Sequence, residues 1–410
     1  MNKIIILTEF DLSNQSIASW ARIIELAKVF NSSTNNAIII ASLAMDNSNP
    51  VVNAIDEEYS IFTVGRSKKC EENIFHKRYF LQKQKYHELK QIVKYFEHPH
   101  QKLIFIVYNY FSSFFDNVIF LKKNILVICE RNERALGSAL IRSYPSGFLK
   151  RIIFGLFHTL EIVNGFFIDN YLKNYDGFLT ISENYRTFLS RKAPDKPILK
   201  IPVLYKKLVI NINTNYDQEL LKVGYFGTIN FKRDKIDIIL KAISLFTKKF
   251  GFSNIELTIG GKASKHEEKK LKKKIKLFGI DNFVNYVGFL SEKDLFSELN
   301  KQNVLFALRN NDMQGNYSFA TKIAMYMHFG KISIVSNVSD NSLYITNKKN
   351  AFILNKNDAE ELAKLLIDIS KMDHRSLSEM SASAFQTAQN YFTYSAYVSA
   401  VSHFLNEVQR

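Results

Sequence analysis

The chain has 410 residues, 46% hydrophobic and 23% charged, with 15 glycines, 6 prolines and a formal charge of +16. Its length suits two domains of about 200 residues each rather than a single core, and its composition excludes collagen-like, low-complexity and wholly disordered chains. Cys70 and Cys129 are too few for a disulfide framework or a structural zinc site, so both fit as plain thiols in a reducing cytoplasm.

In chain order, Ile4-Ile5-Ile6-Leu7 follows Met-Asn-Lys directly. The run is too short for the core of a signal peptide and reads as a first strand. Further strand-like runs lie at 37–43, 59–64, 103–108, 125–129, 177–182 and 198–203, with helical periods at 17–30, 76–96 and 148–172. Residues 206–220, rich in Asn around Asn211, Asn213 and Asn215, have no period and read as a linker. A second series of strands then falls at 222–226, 255–259, 284–287, 304–308, 332–336 and 351–354. Helices fill the gaps, as at 235–249 and 360–371, and two more close the chain near 375–391 and 395–408.

This alternation predicts two doubly wound α/β units, with ligands at the carboxyl ends of their strands and in the crevice where the units face each other. The expected division is a first domain over 1–205, a linker at 206–220, a second domain over 221–385, and a closing helical segment at 386–410.

The basic excess is spread over both halves and suits nucleic acid, anionic lipid or a phosphorylated substrate. No helix-turn-helix, RNP-type or zinc pattern supports nucleic acid. No stretch reaches the ~20 apolar residues of a spanning helix. The longest candidate, 148–168, is interrupted by Lys150, Arg151, His158, Glu161 and Asn164, so it suits lying on a membrane rather than crossing one. His158 and Glu161 share a helix face but lack a third ligand, and no Asp-x-Asp pair occurs, so no metal site is expected. The lysine-rich run 262–276 places Leu271, Ile275 and Phe278 at helical spacing, as a solvated helix face or an anionic-membrane contact would.

The segment from Gly315 to Ser336 carries the most chemistry. A Gly-Asn turn leads through Ser318 and Thr321, both good helix caps, into a short helix that starts at Lys322 and ends at Gly330. Unpaired amides and a cation at a helix start suit a phosphate. Upstream, Gly227 after a strand allows close backbone approach to a pyrophosphate, and Lys232, Arg233 and Lys235 follow it. Past the strand at 125–129, Glu130 and Glu133 suit acid, base or acceptor-hydroxyl roles, interleaved with Arg131 and Arg134. Asn14 and Ser16 cap the helix from Ile17 and are expected to face the same crevice.

The stretch Ser318-Phe319-Ala320-Thr321-Lys322-Ile323-Ala324-Met325-Tyr326, then Gly330-Lys331, resembles the donor-site segment of glycosyltransferase family 4. Lys222-Val-Gly-Tyr-Phe-Gly227, Leu257-Thr-Ile-Gly-Gly261 and the element from Asn285 to Leu295 resemble its strand and glycine turns in the same order, over most of 222–395. The resemblance implies a GT-B fold of two facing Rossmann-like domains, an acceptor domain over 1–205 and a nucleotide-sugar donor domain over 221–385, with the helix at 386–410 returning to the first domain. It implies a metal-independent, retaining transfer of a sugar from a nucleotide-diphosphate donor, with no cofactor, while the basic charge and the Phe-rich 148–167 segment point to a glycan or lipid-linked acceptor in surface polysaccharide synthesis. Lys235 and Lys322 would stabilise the departing diphosphate. Gly227, Thr228, Lys232, Arg233, Gly260, Tyr317, Ser318, Phe319, Thr321 and Met325 would complete the donor site, and Glu130, Asn14 and Ser16 the acceptor side. The family's Glu-x7-Glu pair falls on Tyr317 and Met325, so both carboxylates are missing. That departure keeps open an inactive subunit of a glycosyltransferase complex, and a sugar-nucleotide 2-epimerase shares the scaffold. The expected location is the cytoplasm, with peripheral binding to the inner face of the plasma membrane.

Overall fold

The apolar runs of both halves assemble into parallel sheets. The computed structural model describes residues 3–9, 12, 18–48, 51–65, 77–108, 124–131, 171–206 and 219–410. The chain divides into two units, Met1–Lys206 with Thr393–Arg410, and Lys207–Phe392.

The first unit holds an eight-stranded sheet of β1 (Lys3–Thr8), β2 (Ile38–Ser42), β3 (Val52–Asp56), β4 (Ile61–Val64), β5 (Leu103–Tyr108), β6 (Ile125–Arg131), β7 (Gly177–Thr180) and β8 (Ile198–Lys200), in the order β3-β4-β2-β1-β5-β6-β7-β8. All neighbours pair in parallel except β3, which runs antiparallel to β4 at the edge. Continuous Ile and Val runs are what a sheet covered on both faces requires, and every residue of β2 and β5 is buried. Helix α1 (Ala18–Thr34) contributes Ile23, Leu26, Ala27 and Phe30 to this core, α2 (Lys77–Phe96) contributes Leu89, Ile92 and Phe96, and α3 (Glu183–Lys192) follows β7. The short exposed edge β3 has no apolar alternation and is not predicted from sequence.

The second unit is a six-stranded, wholly parallel sheet of β9 (Leu221–Phe226), β10 (Ile255–Gly260), β11 (Val284–Gly288), β12 (Val304–Ala307), β13 (Ile332–Ser336) and β14 (Phe352–Leu354), ordered β11-β10-β9-β12-β13-β14. Its helices are α4 (Ile236–Ser244), α5 (Lys265–Phe278), α6 (Glu292–Lys301), α7 (Met313–Tyr317), α8 (Thr321–His328), α9 (Asn341–Tyr344), α10 (Ala359–Ser370) and α11 (His374–Tyr391). Helix α4 gives way to a π turn at Leu245–Lys249, where the Phe250 amide reaches back five residues to Leu245. In α5 the Ser264 hydroxyl caps the first turn and Gly279, at φ +57°, ends the last; Leu271 and Ile275 face the core. From β9 the chain goes to one side through β10 and β11 and returns on the other at β12. The strand order therefore reverses beside β9, which places the ligand crevice of such a sheet at the carboxyl ends of β9 and β12.

After α11 the chain re-enters the first unit. A 3-10 turn at Tyr394–Tyr397 leads into α12 (Val398–Gln409), and Ser33 bonds the Val398 carbonyl at 2.9 Å. Val401, Phe404, Leu405 and Val408 are buried among the residues of α1, β1 and β5. Gly177 makes the contact possible, because a Cβ there would lie 2.8 Å from Val408.

Candidate active site

Two strand ends meet in backbone contact at the carboxyl edge of the second sheet. Gly227 (φ +142°) and Gly261 (φ +138°) both turn in the left-handed half of φ space, which glycine alone tolerates readily. The Gly227 amide bonds Gly260 O at 3.0 Å, and the Gly261 amide bonds Gly288 O at 2.6 Å. A Cβ on Gly261 would fall 1.9 Å from Gly227 O, so the turns pack with no room for a side chain. The turn after β10 is thus made by Gly261. Gly260, expected as a donor contact, ends the strand and packs against Phe226 and Leu290.

A cationic cluster lies against Gly227. The Lys322 stem passes where a Gly227 Cβ would stand, 2.8 Å from Cε. Its Nζ donates to Tyr225 Oη at 2.7 Å and to Asp234 Oδ1 at 2.8 Å, and it lies 3.9 Å from the Tyr225 ring centre. Asp234 also pairs with Arg233 Nε at 2.9 Å, with Arg309 Nε at 4.0 Å. Burial pulls the Lys322 ammonium down to about 8, Asp234 opposing it. Burial alone would raise the Asp234 carboxyl, yet Lys322, Arg233 and Arg309 hold it below the ordinary range. Tyr225 in turn donates to Thr228 O at 2.7 Å, and Asn310 Nδ2 ties the Lys232 carbonyl at 2.6 Å. The loops after β9 and β12 are therefore laced together beside the glycine turns.

Helix α8 is fixed to the end of β9 by Tyr326, whose hydroxyl accepts from Phe226 N at 3.1 Å and donates to Phe226 O at 2.9 Å. Lys331 is buried behind it and donates to Asn300 O and Gln302 O, capping the end of α6; burial draws it down to about 8.

Several expected contacts take other places. Ser318 does not cap α8: its Oγ bonds back to Gln314 O at 2.6 Å and closes α7. Thr321 is the exposed first residue of α8, and Ala320 stands at the cap with no side-chain bond. Phe319 is buried, with the Tyr344 and Phe392 ring centres each 5.5 Å away, so it is core. Lys322 is buried and ion-paired rather than standing free. Lys235 is half-buried at the start of α4 in a left-handed conformation (φ +51°), and Lys232 and Thr228 are exposed. Tyr317 and Met325 are half-buried at the end of α7 and within α8.

Sequence reasoning passed over Asp234, Tyr225, Arg309 and Tyr326. Asp234 stands inside the basic run Lys232-Arg233-Asp234-Lys235, where a lone acid among cations was the available signal.

In the first unit Glu130 ends β6 and is wholly buried. It accepts from Arg22 Nε at 3.2 Å, while Arg22 also donates to Ile201 O at 2.9 Å and to Pro202 O. Burial raises the Glu130 carboxyl to about 7 against the pull of Arg22. The Glu130 side chain turns inward and joins β6, through Arg22 of α1, to the chain after β8. Asn14, Ser16, Glu133, His158, Glu161 and most of the helical segment 148–172 lie outside the described residues.

The profile of the family described as glycosyl transferases group 1 matches residues 213–387. Among solved structures, the sucrose-phosphate synthase from Thermosynechococcus elongatus superposes with a TM-score of 0.70 at 13% identity, covering 100% of this chain and 99% of its own. Anabaena HepE in complex with UDP and glucose gives 0.63 at 12% identity, covering 99% and 100%. A glycosyltransferase from Rickettsia africae gives 0.63 at 13%, covering 100% and 99%. No curated protein matches the chain by sequence. Glycine turns and cations at the carboxyl edge of β9 thus sit inside the segment that is similar to group 1 glycosyl transferases, and the chain as a whole has the GT-B fold of these structures.

Proposed function

We propose that the chain moves a sugar from a nucleotide-diphosphate donor, bound by the C-terminal unit, to a glycan or lipid-linked acceptor held by the N-terminal unit. The observation that supports this reading most is the convergence of the Gly227 and Gly261 turns with Lys322, Arg233 and Arg309. Backbone approach serves a diphosphate, and fixed cations stabilise the charge that develops on it as the anomeric carbon–oxygen bond breaks. Lys235 and Lys232 flank the cluster and would add to it. The HepE structures that superpose on this chain hold UDP, which favours the same class of ligand. In this reading the reaction retains anomeric configuration, needs no metal, and serves surface polysaccharide synthesis. It takes place in the cytoplasm, with the basic excess and the 148–167 segment drawing the enzyme to the inner face of the plasma membrane. A thermal-shift screen with UDP-, GDP- and CMP-sugars tests the donor class, since a ligand of the native state raises its melting temperature. A rise with one base is expected; no shift with any of them overturns the reading.

A second reading, an inactive partner subunit of a glycosyltransferase complex, draws on Tyr317 and Met325. Neither side chain accepts a hydrogen bond from ribose hydroxyls as a carboxylate does.

A further inference from the structure

Asp234 has no chemical step in the reaction proposed above, yet it is fully buried beside the glycine turns. Each of its oxygens is taken: Oδ1 by Lys322 at 2.8 Å, Oδ2 by Arg233 at 2.9 Å, with Arg309 Nε 4.0 Å from Oδ1. These cations arrive from three places, namely α8, the loop after β9 and the end of β12. A buried ion pair adds little to stability by itself, whereas cations fixed beside glycine turns suit an anion that arrives from outside. Arg309 is held in place independently, its amide by Ser336 Oγ at 3.0 Å and its carbonyl by Asn357 at 2.7 Å.

We propose that Asp234 is a positioning residue of the donor site, gathering Lys322, Arg233 and Arg309 on one carboxylate and keeping Lys322 in its ammonium form for a nucleoside diphosphate. This rests on the donor reading given above. The groups around Lys322 are Asp234 and Arg233 from the loop after β9, Arg309 from the end of β12, the Tyr225 phenol of β9 and the Tyr326 phenol of α8. Burial pushes both phenols above their ordinary range, so they stay neutral. Asp234 is then the one counter-charge in this set. Burial, with Arg309 and Arg233 adding to it, lowers Lys322 to about 8 against the opposing pull of Asp234. Without Asp234 its proton is lost within the neutral range, and the charge-assisted contact to a diphosphate is lost with it.

Binding of UDP and GDP, measured by calorimetry from pH 6 to 9, tests the proposal on the wild type, Asp234→Asn, Asp234→Glu and Lys322→Ala. Melting curves establish that each variant is folded. Wild type should hold its affinity to about pH 8. Asp234→Asn should bind near normally at pH 6 and fall about tenfold by pH 8, Asp234→Glu should recover part of the loss, and Lys322→Ala should bind weakly throughout. If wild type binds and Asp234→Asn follows its pH profile unchanged, this inference is overturned and the donor reading stands. The same holds if Asp234→Asn weakens binding equally at every pH, the mark of a structural role alone. If the wild type binds neither nucleotide, the donor reading fails and takes the inference with it.

Discussion

Gly261 and Gly227 carry the tightest constraint at the scale of single residues. A Cβ on Gly261 would overlap the Gly227 carbonyl at 1.9 Å, whereas a Cβ on Gly251, also at positive φ, would meet nothing within 4 Å. Both alanine substitutions incur left-handed backbone strain of roughly 1–3 kcal/mol, but Gly261→Ala must also push the two turns apart. We expect Gly261→Ala to abolish nucleotide binding and lower the melting temperature well beyond Gly251→Ala, as melting curves and UDP or GDP titration would record. Met325 gives a second prediction. Restoring a carboxylate by Met325→Glu should tighten nucleotide binding by roughly ten- to a hundredfold, the worth of a hydrogen bond to a charged acceptor. Calorimetry decides it: no binding in either form, with a marked loss of stability in the variant, would favour the inactive-subunit reading. Residue roles were the least legible part of the sequence. Ser318 and Phe319 have the right chemistry and spacing for a loop contact, but side-chain direction sends one back to α7 and the other into the core.

Among elements, α8 is the one that joins the site to the sheet. It spans Thr321–His328, and its hold on the backbone of β9 passes through the Tyr326 hydroxyl, which satisfies both the amide and the carbonyl of Phe226. Removing that hydroxyl leaves two buried backbone groups unpaired, at roughly 1–3 kcal/mol each. Tyr326→Phe should therefore lower stability by about 2 kcal/mol or more in denaturant titration and raise the donor KM, because Lys322 rides on the same helix. Unchanged stability and kinetics would remove this role from the Tyr326 hydroxyl. Most elements were legible because long Ile and Val runs alternate with helical periods, and β5 and β13 keep the expected bounds. The exposed β3 carries no such pattern, and the π turn ending α4 is a hydrogen-bond shift that hydrophobic spacing does not register.

Across the whole molecule, the +16 charge bears on location. No helix among the described residues is long and apolar enough to cross a membrane. The lysines of α5 face outward, while Leu277 and Phe289 at its end and after β11 are 72% and 73% exposed. A surface of this kind should bind anionic lipid in a salt-sensitive way. In flotation with vesicles of phosphatidylserine and phosphatidylcholine, we expect recovery with the vesicles at low salt and release at high salt. Equal behaviour with purely neutral vesicles would remove the electrostatic contribution.

Sequence by itself determined the two parallel sheets and the glycine turns, because burial on both faces of a sheet and close backbone approach each demand particular residue types at adjacent positions. The return of the last helix to the first unit could be expected from the resemblance. Only the tertiary structure decided that Asp234 sits beneath Lys322, 88 residues away in sequence, and that Glu130 turns inward to Arg22, 108 residues away. Such pairings arise where separate elements converge, and a charge in a linear chain carries no record of which opposite charge will be buried beside it.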